Sequence, residues 1–143
     1  MTRPSLASFP ILDSLRLIRS ENVGPVTFFQ LVQRFGSPAH ALDAIPMLAR
    51  RGGRQKALSV APVSLAEKEI ELTQKFGARF IAYGDNEYPQ ALQHIYDAPP
   101  LLIVRGNSAI WRKRTLGIVG SRNASAAGCS FTRKLAKDAG DAG

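Results

Sequence analysis

The residues with the clearest chemical potential form a Gly-Ser-Arg turn that follows a short apolar run. The run Leu116–Val119 is typical of a buried strand in a parallel sheet, because it carries β-branched residues and is bounded by glycine. Gly120 lacks a Cβ where a ligand could approach the backbone, and Ser125 is a good N-cap for a following helix. Arg122 adds a forked cation suited to phosphate oxygens. These features predict a strand–turn–helix unit that binds phosphate at the helix N-terminus.

This turn does not match the common nucleotide-binding loops. Its glycines stand at positions 117, 120 and 128, which is not G-x-G-x-x-G spacing, and no Gly-Lys-Ser/Thr sequence follows. A second interpretation therefore stays open, in which this is an ordinary sheet-to-helix turn with Arg122 in solvent.

The charge balance points to a polyanionic partner. The 143 residues include 19 basic and 11 acidic side chains, which give a net charge of +8 and an isoelectric point near 10.3. Nucleic acid is the first candidate partner for such a chain, and an anionic membrane is the second. The excess includes two local clusters, one at Arg50–Lys56 and one at Arg112–Arg114. A basic soluble protein without such a partner remains the alternative.

Other residue types exclude several classes of protein. Cys129 is the one cysteine, so an internal disulfide framework is excluded, and a reducing cytoplasm is the expected location. His40 and His94 are the two histidines, which are too few for a structural zinc site. The N-terminus lacks the pattern of a signal peptide, and no apolar run reaches membrane-spanning length. We expect no metal, no cofactor and no membrane association.

The N-terminal half is predicted to be helical. Apolar periodicity indicates helices over Ile11–Ser20 and Pro25–Phe35, and a third from Pro38 that Pro46 ends. The turn around Gly24 resembles a helix-hairpin-helix, whose backbone amides can bind DNA phosphate. A second glycine, usual in that motif near position 22, is absent, so a plain helical bundle is the simpler interpretation. A partner-binding surface of phenylalanines, at positions 28, 29 and 35, is a further alternative to a helical core.

The second half changes to a mixed pattern. A turn of helix is possible at 55–59, and Ser64–Glu67 forms a capping box that opens a helix ending at Gly77. Strands are predicted at Arg79–Tyr83 and Leu101–Val104, before the strand of the Gly-Ser-Arg turn. The chain is therefore of the α/β class.

Three segments resemble the DNA-processing protein A family (DprA, also called Smf). The longest is 88–107, with the sequence YPQALQHIYDAPPLLIVRGN, and the second is Ile-Val-Gly-Ser-Arg at 118–122. The helical front is similar to the family's SAM-like module, through Asn-Val-Gly-Pro at 22–25 and Arg-Phe-Gly-Ser-Pro at 34–38. The resemblance covers roughly residues 10–139.

This resemblance implies a domain organisation and a function. Residues 1–62 would form the SAM-like module and residues 63–143 the start of a Rossmann-like parallel sheet, incomplete at its C-terminal end. Family members bind single-stranded DNA during natural transformation, load the RecA recombinase onto it, form homodimers and are not known as catalysts. Since no strand follows the last predicted helix, we expect the chain to be the front part of a longer protein.

The resemblance also implies the residues of the binding site. The arginine of the family's Gly-Ser-Arg turn contacts the DNA backbone, and the glycine and serine would contribute backbone amides. The predicted nucleic-acid-binding residues are Gly120, Ser121, Arg122, Ser125 and Gly128, with Lys113, Arg114 and Gly24 as weaker candidates; no residue is predicted to be catalytic. The rival function is a nucleotide-binding hydrolase of the phosphoribohydrolase type, and a helical partner-binding module is a third.

Overall fold

The computed structural model of the chain describes residues 3–51 and 59–143. The predicted turn of helix that starts at Gln55 and the basic residues Arg54 and Lys56 lie outside the described residues. Contacts between α-carbons divide the chain into two units, Met1–Gly106 and Asn107–Gly143. The elements, in chain order, are α1 (Ile11–Arg19), α2 (Pro25–Phe35), α3 (Pro38–Arg51), α4 (Val63–Lys75), β1 (Ala78–Ala82), α5 (Gln90–Gln93), β2 (Leu101–Arg105), a 3₁₀ helix (Ser108–Arg112) and α6 (Ala126–Asp141).

The boundaries of α2 follow from local chemistry. Pro25 occupies the first helical position, where its missing N–H costs nothing. Gly36 ends the helix in the left-handed conformation (φ 84°), and its N–H donates to the Val32 carbonyl at 2.8 Å. The helix therefore has the bounds predicted from the sequence, Pro25–Phe35.

The first unit is built on an apolar core between α1, α2 and α3. Phe28 is fully buried at its centre, and Phe29 is 5% exposed, so these rings form the core rather than a partner-binding surface. The buried residues of this cluster are Leu6, Leu17, Val23, Phe28, Phe29, Val32, Ala41, Leu42, Ile45 and Ala82. In α1, Leu15 and Leu17 are both buried.

Helix α3 continues past the point where we expected it to end. Pro46 lies inside the helix, which the structure extends to Arg51. A proline in a helix interior removes one hydrogen bond and costs about 3 kcal/mol, but packing on either side can offset that cost. Leu42 and Ile45 are both buried just before the proline, and α3 packs against α1 and α2.

The start of α4 also differs from the prediction. The helix begins at Val63, with Pro62 as N-cap and no side-chain hydrogen bond to the cap. Ser64 therefore lies inside the first turn, and the predicted capping box does not form. An i,i+4 ion pair joins Glu71 to Lys75 at 2.6 Å, on the exposed face of the helix.

The two strands form an antiparallel pair, whereas we expected parallel pairing. Ala78 lies opposite Arg105, and Ala82 lies opposite Leu101. The connection between them contains only turns and the four-residue α5, whereas parallel strands are usually joined by a crossover helix. A helical module followed by a small sheet and a helix makes the chain an α/β protein, as predicted.

The predicted strand Leu116–Val119 does not form. The structure assigns no strand to this segment, and Val119 is 97% exposed. A strand requires a neighbour for its backbone hydrogen bonds, and the described sheet consists of β1 and β2.

The N-terminal segment, residues 3–9, packs against the end of the sheet. Leu6 is fully buried, and its N–H donates to the Tyr83 carbonyl at 2.7 Å. The Tyr83 ring meets Phe29 edge to face at a centroid distance of 4.9 Å and Tyr88 at 5.3 Å. This segment therefore joins the helical core to the strands within the first unit.

Candidate nucleic-acid interface

The predicted helix cap is present at the start of α6. The Ser125 hydroxyl accepts a hydrogen bond from the Gly128 N–H at 3.1 Å. One turn earlier, the Ser121 hydroxyl accepts from the Asn123 N–H at 3.3 Å. Two serine side chains therefore hold the backbone that leads from the Gly-Ser-Arg turn into the helix.

A cleft lies between this turn and one face of α6, and we call it the α6 cleft. Its volume is about 570 Å³, within the range of roughly 300–1,000 Å³ that small-molecule sites occupy. Its lining combines apolar side chains with hydroxyl, thiol and guanidinium groups. The lining residues are Ile118, Val119, Gly120, Ser121, Ala124, Gly128, Cys129, Thr132 and Arg133.

The structure brings together three of the predicted principal site residues. Gly120, Ser121 and Gly128 line the α6 cleft, and Ser125 caps the helix beside it. Arg122 is exposed and does not line the cleft.

The weaker candidates lie outside the α6 cleft. Lys113 and Arg114 are exposed in the extended segment that follows the 3₁₀ helix. Gly24 belongs to the other unit, where it is the exposed N-cap residue of α2.

Arg133 was not predicted as a site residue, yet its side chain lines the cleft. Helical side chains tilt toward the N-terminus of their helix, so an arginine on the second turn can lie over the first. Cys129, Thr132 and Arg133 have i, i+3, i+4 spacing and therefore share one face of α6. That spacing relative to the Ser125 cap is the sequence signal by which Arg133 could have been found.

The surroundings of the cleft favour an anion. Residues 107–143 carry seven basic and two acidic side chains, a net charge of +5, and both acidic residues lie near the C-terminal end of α6. The backbone amides of Ala126 and Ala127 have no hydrogen-bond partner among the described residues. Free amides at a helix N-terminus carry partial positive charge, so they attract phosphate.

Two family models match the chain. The model described as the DprA-like N-terminal HHH domain matches residues 11–71, and the model described as DNA recombination-mediator protein A matches residues 79–143. The chain belongs to the DNA recombination-mediator protein A (DprA) family. Its role therefore lies in DNA recombination and processing. A comparison with curated proteins found no match.

The DprA-like HHH match bears on the turn between α1 and α2. Asn22 has a positive φ of 60°, a conformation that is usually left to glycine. Asn22 occupies the region of the turn where a helix-hairpin-helix usually has its second glycine. Here the asparagine adopts the positive φ angle instead. The match places this turn in an HHH domain, although the simpler bundle was preferred from the sequence, and binding of DNA phosphate at Gly24 stays a prediction.

The described residues of the chain also bear on membrane spans and metal sites. None of its described helices has both the length and the apolar character needed to cross a bilayer. Its described residues contain no group of three or more potential metal ligands. The predicted domain boundary at residues 62–63 stays a prediction.

Proposed function

We propose that this chain binds single-stranded DNA, without regard to sequence, through the α6 cleft. The observation that carries the proposal is the position of Arg133, which lines the same cleft as the Gly120-Ser121 turn at the start of α6. Membership of a DNA recombination-mediator family supports DNA as the class of ligand. We further propose, from the resemblance to that family, that the bound strand is passed to a RecA-type recombinase during natural transformation, and that the intact protein acts as a homodimer.

The chemistry of the cleft suits one or two nucleotides of a flexible strand. A phosphate would accept hydrogen bonds from the free amides at the start of α6 and from the Arg133 guanidinium. The Ser121 and Thr132 hydroxyls can donate to the same oxygens. The apolar side chains of Ile118 and Val119 offer a surface for the sugar or base. Contacts of this kind read no base edge, so binding would be independent of sequence.

The exposed cations extend this site beyond the cleft. Arg122, next to Ser121 in the chain, is free to contact a neighbouring phosphate, and Lys113 and Arg114 could track the strand further. Each phosphate neutralised on a single strand contributes about 0.7 to the slope of log affinity against log salt.

Filter binding at several salt concentrations tests this proposal, with two unrelated oligonucleotides. Arg133→Ala and Arg122→Ala should each weaken binding by a similar factor for both sequences and should each lower the salt slope by about 0.7. Lys68→Ala, which removes an exposed cation from α4, is the matched control and should leave both quantities unchanged. An unchanged salt slope for Arg133→Ala would remove the α6 cleft as the phosphate site.

A further inference from the structure

A second cavity lies in the first unit, beside helix α2. We call it the Tyr96 cavity. Its volume is about 270 Å³, slightly below the range of drug-sized sites, so it suits one small planar group rather than a length of polymer. Its lining residues are Arg3, Pro4, Val26, Phe29, Gln30, Gln33 and Tyr96.

The single charge among these lining residues is the guanidinium of Arg3. It lies over the Phe29 ring, 5.2 Å from the centroid, and 5.9 Å from the centroid of Tyr83. It donates to the Gln93 carbonyl at 3.3 Å and to the Tyr96 carbonyl. Among the described residues these two carbonyls are its hydrogen-bond partners, which leaves three of its five N–H donors for a ligand.

Tyr96 supplies an exposed aromatic ring to the same cavity. The residue is 79% exposed, although the bond from Arg3 to its carbonyl ties its backbone to the N-terminal segment. Because the backbone of Tyr96 is already ordered, stacking of its ring on a ligand costs only the conformational entropy of the side chain.

Two side-chain amides also line the cavity. Gln30 and Gln33 are exposed, and their i, i+3 spacing places them on one face of α2. Each amide offers both donors and an acceptor, which match the edges of nucleobases. Helix α2 contains no acidic residue, so a polyanion would meet no repulsion from it.

We propose that the Tyr96 cavity receives one base of single-stranded DNA, stacked on the Tyr96 ring, with a phosphate or base oxygen on the free donors of Arg3. An exposed aromatic ring beside a cation is the combination by which proteins bind single strands without sequence preference. The inference rests on the proposed DNA binding. It assigns the contact with a base to the first unit, whereas the α6 cleft belongs to the second unit.

Tyr96→Ala in the full chain tests this site. Its affinity for an oligothymidine strand should fall by about 5- to 150-fold, the usual range for the loss of one stacked base. The salt slope should stay unchanged, since tyrosine neutralises no phosphate. Tyr96→Phe keeps the ring and should bind like the wild type. Phe76→Ala, which removes another exposed ring from the first unit (65% exposed), should also have no effect.

An abasic strand of the same length separates stacking from charge. It offers phosphates but no base, so the wild type and Tyr96→Ala should bind it equally. A Tyr96→Ala variant that binds oligothymidine as tightly as the wild type would overturn this inference. So would an equal loss on the abasic strand, or the absence of any DNA binding by the wild type.

The two proposals fail in distinguishable ways. Unchanged affinity for Tyr96→Ala together with a lowered salt slope for Arg133→Ala would leave only the α6 cleft. A loss for Tyr96→Ala with no effect of Arg133→Ala would leave only the Tyr96 cavity. Gln33→Ala gives a second check, because Gln33 also lines the cavity and the loss of its amide should weaken binding to oligothymidine.

Discussion

Gly84 lies directly against Ser5, at the turn that follows β1. A methyl group built on Gly84 would come within 2.8 Å of the Ser5 Cβ and 2.9 Å of its Cα, and the φ angle of Gly84 is +90°. The Ser5 Cα is a backbone atom, so it cannot move aside as a side-chain atom could. The N-terminal segment therefore reaches the sheet closely enough to require glycine at this position.

We predict that Gly84→Ala lowers the free energy of unfolding by about 2–5 kcal/mol, through backbone strain and the contact with Ser5 together. Gly106→Ala is the matched control, because Gly106 has a similar φ of +97° but no neighbour within 4 Å of a built Cβ. Its cost should be about 1–2 kcal/mol, from strain alone. Urea unfolding measures both, and equal losses would show that Ser5 contributes nothing.

Phe28→Ala should lower the free energy of unfolding by about 3–5 kcal/mol, because the ring is fully buried and its removal leaves a cavity. The ring also meets Phe29 edge to face at 5.5 Å. Phe76→Ala, which removes an exposed ring over which Arg105 lies at 4.6 Å, should cost less than about 1 kcal/mol. Denaturant titration of both variants checks the contrast, and similar losses would contradict it.

We expect the free energy of unfolding of the first unit to depend on pH in the alkaline range, because of Tyr88. The residue is 3% exposed, and its hydroxyl donates to the Pro99 carbonyl at 2.8 Å. Burial raises the pKa of Tyr88 to about 12, the charge interaction with Tyr83 adds to the rise, and Arg3 partly lowers it. An unfolded tyrosine has a pKa of about 10, so the folded state retains the proton longer than the unfolded state does.

The sign of the effect follows from this order of pKa values. The contribution of Tyr88 to the free energy of unfolding is complete below about pH 10. It falls as the pH rises toward about 12, because in this range only the unfolded state releases the proton. Tyr88→Phe cannot titrate, so the difference in free energy of unfolding between wild type and variant should shrink across this window. Urea unfolding at pH 9, 10, 11 and 12 measures it, and a constant difference would contradict the assignment.

Ser125→Ala should destabilise the first turn of α6 by about 0.5–2 kcal/mol, because the Gly128 N–H loses its acceptor. Ser125→Asn should retain most of the capping. Ser130→Ala, an exposed position within the same helix, should show no such loss, since alanine favours a helix interior. Amide exchange of residues 126–129 reports the effect, and equal exchange in the Ser125 and Ser130 variants would count against the cap.

The sequence determined those features that depend on near neighbours in the chain. The left-handed stop at Gly36, the proline start of α2 and the Ser125 cap each depend on groups within four residues, so residue type and spacing were sufficient to predict them. The basic character of the last segment and the family resemblance could also be recognised from the sequence alone. The Gly120-Ser121 turn could thus be placed beside a helix N-terminus before any coordinates.

The tertiary structure decided everything that depends on a distant partner. Leu116–Val119 has the composition of a strand, but a strand forms only where another segment supplies hydrogen bonds. The antiparallel pairing of β1 with β2, the continuation of α3 through Pro46 and the position of Arg3 over Phe29 depend in the same way on packing across the fold. Residue type shows that a side chain can donate, stack or bury itself, and only the folded chain decides which partner it meets.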